Sequence, residues 1–63
     1  MTLTQARREG RDWARNNSKA SHAELEARRA KFAEAWGGSY AQQFWYAAHD
    51  ELKDLNTTNN VEA

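Results

Sequence analysis

An all-α fold of three short helices, at about 3–15, 22–36 and 40–55, is what this sequence predicts, and three observations predict it. Thr2-Leu3-Thr4-Gln5, Ser21-His22-Ala23-Glu24 and Ser39-Tyr40-Ala41-Gln42 each set a hydroxyl residue three before a Glu or Gln. At that spacing the two side chains can satisfy each other's orphan backbone donors at a helix start. Ala41, Trp45, Ala48, Leu52 and Leu55 follow one another at steps of four, three, four and three, which places them on one helix face that Phe44 widens. Proline is absent, β-branched residues are nearly missing before residue 56, and twelve alanines favour helix over strand. The expected arrangement is a small bundle, or a helical hairpin plus an arm, forming one domain over 1–55.

Helix 1 carries Leu3, Ala6, Gly10, Trp13 and Ala14 on a narrow face with Trp13 as its bulky anchor. Gly10 in mid-helix costs roughly 1 kcal/mol against alanine, so it marks either a close backbone approach or a soft point. Asn16 to Ala20 reads as a polar linker. Helix 2 has a core stripe of Leu25, Phe32 and Trp36, and Ala23, Ala27 and Ala30 form a flatter side that could receive another helix. Gly37-Gly38 stops it, and so short a connection forces helices 2 and 3 into an antiparallel hairpin or a bent corner. Helix 3 turns Gln42, Tyr46, His49 and Lys53 outward, with Tyr40 at the margin. It ends near Leu55, where Asn56 can cap it, and 56–63 reads as a disordered tail.

Sixty-three residues stand near the lower limit for unaided folding. Leu3, Leu25, Leu52, Leu55 and Val61 are the large aliphatics, and seven aromatic residues carry most of the apolar area. A core so sparse favours completion by an oligomer, with a homodimer preferred, or by a partner. No cysteine is present, so disulfides and thiolate metal sites are excluded. No apolar run reaches membrane-spanning length and no secretion signal is legible, which predicts a soluble cytoplasmic protein without membrane contact.

The formal charge is zero but unevenly placed. Residues 1–31 hold eight Lys/Arg against four carboxylates, whereas 32–63 hold Lys53 against five. Arg7, Arg11 and Arg15 lie at i, i+4 and i+8 with Arg8 beside them, a ridge able to hold carboxylates or phosphates bidentately. The plainer alternatives are a solvated face, or pairing with the acidic end of helix 3. Asp50, Glu51 and Asp54 there oppose the helix macrodipole and invite Arg11 and Arg15 of a parallel helix 1.

Catalysis finds little support. Neither His22 nor His49 is placed with a nucleophile, no two-histidine metal spacing occurs, and the carboxylate run of helix 3 reads as a solvated face rather than a metal site. No cofactor motif occurs. The sequence therefore predicts a small non-enzymatic interaction protein, an adaptor or inhibitor that regulates a larger protein. Its candidate contacts are Arg7, Arg11, Arg15, Trp13, Trp36, Tyr40, Trp45, Tyr46 and His49. The alternatives are a nucleic-acid-binding accessory factor using Arg7, Arg8, Arg11 and Arg15, or an oligomer holding a small anionic ligand between subunits.

Overall fold

A computed structural model describes the backbone of residues 1–62 and the side chains of residues 1–55. It contains α1 (Leu3–Asn16), α2 (His22–Trp36) and α3 (Gly38–Glu62), with no strand among the described residues. The first two helices start where the hydroxyl spacing predicts. Thr2 Oγ1 accepts from Gln5 N at 3.1 Å while Thr2 N donates to Gln5 Oε1 at 2.8 Å, a complete reciprocal cap. Ser21 Oγ accepts from Glu24 N at 3.2 Å.

The third start differs. Gly37, at φ 103°, turns the chain within a single residue, and its carbonyl accepts from Ala41 N at 3.1 Å while its own N–H donates to Ala33 O at 2.8 Å. One glycine thus closes α2 and opens α3, and Ser39 falls inside the helix instead of capping it. A residue with a Cβ would meet strain at this φ, which is why the corner belongs to glycine. At its far end α3 continues past Leu55 to Glu62, since no glycine or proline interrupts it there, so Asn56 does not end the helix. The tail expected over 56–63 falls on residues whose side chains lie outside the described set.

α3 is the central element. α1 lies parallel to it, as Arg7 meets Gln43 and Arg15 meets Glu51, each 36 residues on. α2 folds back over it, with Phe32 stacked on Phe44 at 4.6 Å between centroids and 25° between planes. Among the described residues no Cα of α1 comes within 8 Å of one in α2, so the first two helices are joined through the third. Trp13, tilted against Phe44 at 6.2 Å, partly fills the space between them.

The core consists of Ala6, Ala14, Leu25, Phe32, Ala41, Phe44, Ala48 and Leu52. Phe44 and Leu25 are its largest fully buried side chains. The step-of-four-and-three pattern places Trp45 and Leu55 inward, but both are only partly buried. Phe44 takes the centre because it alone meets both Phe32 and Trp13. Three consecutive rings on one helix are thereby sorted by depth: Phe44 inside, Trp45 at the edge, Tyr46 outside. Ala23, Ala27 and Ala30 are exposed and receive no helix, and Leu3 is exposed as well. Small side chains alone offer too little apolar area to hold a neighbour that Leu25 and Phe32 already hold on α3.

Gly10 makes the close approach of α1 possible. A Cβ placed there would fall on the carbonyl oxygen of Phe44 and within 3.1 Å of Ala48 N, both backbone atoms of α3 that cannot swing aside. With Ala6 and Ala14 one turn away on either side, α1 presents a flat stripe four residues in period to the backbone of α3. Gly10→Ala is therefore expected to destabilise the fold by about 1–3 kcal/mol despite its better helix propensity, because the two helices must part. Urea denaturation of the variant checks this, and an unchanged or raised midpoint would contradict the close packing.

Candidate functional site

The nine side chains singled out from the sequence do not form one surface. The folded chain distributes them over three places, each with its own chemistry.

The first is the groove between α1 and α3, about 290 Å³, lined by Arg7, Arg11, Tyr46, Asp50, Glu51 and Asp54 among others. Two of the arginines are engaged with α3. Arg7 Nε–H donates to Gln43 Oε1 at 2.8 Å, and Arg15 Nε reaches Glu51 Oε2 at 3.4 Å. Arg11 lies between them in the same groove as Asp50 and Asp54. Because α3 runs on to Glu62, Asp50, Glu51 and Asp54 lie in mid-helix, clear of the dipole end that the sequence reading gave them, and the exposed arginines of α1 face them across the groove.

The second place is a cluster of rings on the α2 side of α3. Trp45 stacks on His49 with centroids 4.8 Å apart and planes at 18°, and meets His22 edge-on at 6.2 Å and Tyr46 at 5.6 Å. Its Nε1–H donates to Glu26 Oε1 at 2.9 Å. His22 Nε2 lies 3.4 Å from the same oxygen, Arg29 Nη1 is 3.9 Å from Glu26 Oε2, and the Arg29 guanidinium carbon is 5.7 Å from the Trp45 ring centroid. The indole is held at its nitrogen, its face and its edge, so this ring is an anchor of the α2–α3 contact. Tyr46 stands outside it, half exposed at 49 %, with its hydroxyl accepting from Gln42 Nε2 at 3.1 Å. Sequence spacing alone gave no sign of Glu26 as the hub of this cluster, because a carboxylate on α2 facing a ring nineteen residues away becomes visible only once the hairpin is closed.

The third place lies between α1 and α2 near the Gly37 corner. Trp36, expected in the core stripe of α2, is 49 % exposed. It is the last residue of α2, where the chain turns away and α1 offers no backbone close enough to cover it. Two adjoining hollows of about 280 Å³ each share Met1, Glu9 and Trp36. Tyr40 is partly buried against the core, and Trp13, partly buried against Phe44, lies away from this corner beside the start of α2.

The hollows at these places, of about 280–290 Å³, lie just below the lower edge of the usual small-ligand range. Among the described residues no three His, Cys, Asp or Glu side chains are grouped to hold a metal ion, and no helix is long and apolar enough to cross a membrane. Comparison with protein-family models, with curated proteins and with solved structures found no match for this chain.

The Arg15–Glu51 contact joins a side chain 61 % exposed to one 18 % exposed, so water and salt screen it. Arg15→Ala is expected to cost about 0.2–1 kcal/mol at low salt, with the loss shrinking at high salt. Denaturation curves at the two ionic strengths measure it, and a larger, salt-independent loss would show that the ridge supports the fold more strongly than its exposure implies.

Proposed function

We propose that this chain is a small non-enzymatic interaction protein that binds a larger protein partner and regulates it as an adaptor or inhibitor. The observation that carries this reading is the exposure of Trp36 and Tyr46, each at 49 %, in a domain where, among the described residues, Phe44 and Leu25 are the largest fully buried side chains. Half-exposed indole and phenol rings supply much contact area at small entropic cost, which makes them the usual anchors of interfaces. Leaving two such rings in water costs a small domain apolar burial that it can ill spare, and a partner recovers it.

The arginine ridge serves this function less directly than its spacing suggests. Arg7 and Arg15 are bonded to α3, so a nucleic-acid reading that needs Arg7, Arg8, Arg11 and Arg15 together on one free face loses two of its four contacts. The same holds for an anionic ligand held by the ridge between subunits. A homodimer remains part of the proposal, since a second copy would cover the same rings.

Capture with the chain as bait from its native host is expected to retain a protein partner that survives nuclease treatment, and Trp36→Ala with Tyr46→Ala is expected to lose it. If the captured material disappears with nuclease, or if the double variant captures as the parent does, the reading fails. For the dimer, sedimentation equilibrium is expected to give twice the 7.2 kDa chain mass, and a 7.2 kDa species at every concentration removes it.

A further inference from the structure

The internal bonds of the fold leave several cations unengaged among the described residues; Arg11, Lys19 and Lys53 lie apart from one another, whereas three others are gathered in one place. Arg7, Arg15 and Arg29 are engaged by Gln43, Glu51 and Glu26. Among the described residues Arg8, Arg28 and Lys31 have no hydrogen bond or ion pair, and all three line the two adjoining hollows between α1 and α2. Within those hollows they face a single carboxylate, Glu9. The apolar lining comes from Phe32, Trp36, Ala35 and Met1, with Trp36 and Met1 exposed. The α1–α3 groove is the contrast, because there Asp50, Glu51 and Asp54 stand opposite the arginines.

This geometry points to the groove between α1 and α2 as the docking site for an acidic, amphipathic helical segment of a protein partner. The inference rests on the protein-binding reading above and gives it a location and a chemistry. Two helices that both lie on α3 but do not approach each other leave a slot between them, and a third helix laid in such a slot buries its apolar stripe against the floor. Here that floor is the exposed ring of Trp36 with Phe32 beneath it, and the rim is Arg8, Arg28 and Lys31. Carboxylates flanking the apolar stripe of the incoming helix would meet the guanidinium groups bidentately. A nucleic-acid strand fits less well. Its bases would find one ring rather than a succession, and the neutral chain supplies no long-range field for a polyanion.

The test uses the full chain and three fluorescein-labelled probes. One is an amphipathic peptide of Glu, Ala and Leu with leucines at i, i+3, i+4 and i+7, one is the same peptide with Lys for Glu, and one is a single-stranded oligoadenylate. The acidic peptide is expected to bind by fluorescence anisotropy and the lysine peptide not to. In a nitrogen-15 spectrum the indole N–H signal of Trp36, identified by its loss in Trp36→Phe, is expected to shift while those of Trp13 and Trp45 stay. Arg28→Glu with Lys31→Glu, and separately Trp36→Ala, are each expected to weaken the acidic peptide by about tenfold or more, with the thermal midpoint retained because all three side chains are exposed. Equal binding of the lysine peptide, tighter binding of the oligoadenylate, no binding of the acidic peptide, or binding that both variants leave intact would each overturn the proposal. The protein partner from the capture experiment separates the two levels. Its loss with Tyr46→Ala but not with Trp36→Ala or the Arg28/Lys31 reversal overturns this groove and leaves the protein-binding function standing.

Discussion

The missing side chain at Gly10 is the constraint on which the rest of this fold depends. With no Cβ there, α1 rests on the backbone of α3 at Phe44 and Ala48, and Ala6 and Ala14 extend that contact by one turn in each direction. Contact this close brings the arginine ridge over the groove edge, so Arg7 reaches Gln43 and Arg15 reaches Glu51 with the same offset along the two helices. It also brings the aromatic face of α1 down to Phe44, where Trp13 and Phe32 meet the same ring from different helices. A glycine that costs helix propensity thus sets the register of the parallel pair and the identity of the core's central ring.

From that arrangement two groups of charges stand out. One is internal, with cations of α1 facing carboxylates of α3 and Glu26 gathering Trp45, His22 and Arg29 across the hairpin. These contacts are partly exposed and individually weak, but they fix which faces are turned inward. The other is the unpaired set around Trp36. The even charge balance of the whole chain hides this division, because net charge sums residues that the fold has separated.

Much of the architecture was legible in the residues. The hydroxyl-to-amide spacing located the starts of α1 and α2, the glycine pair located the corner, and Gly10 announced its close approach as one of two readings. Depth within a face was not legible. Helical spacing gives direction only to within the width of a side chain, so it grouped Trp45 with Phe44, and only the stack with Phe32 decides which of them is central. Ser39 matched the cap pattern yet lost the position to Gly37, because a positive φ lets one residue do what the pattern assigns to two. The candidate contacts were legible as residue types but not as a surface. Trp36 sits on the core stripe by spacing and outside it in the fold, and the alanines of α2 look like a seam but face water.

The single-residue corner at Gly37 has a consequence for the order in which the molecule assembles. Phe32 and Phe44 are separated by twelve residues across it, whereas the α1–α3 pairs are separated by 36. Loop-closure entropy that grows as the logarithm of length favours the nearer contact by about 1 kcal/mol. Local topology therefore closes the hairpin first and leaves α1 to dock onto a surface already formed. During synthesis the first helix made is the last to find its neighbour, and until α3 has been translated its flat stripe of small side chains has nothing to lie against.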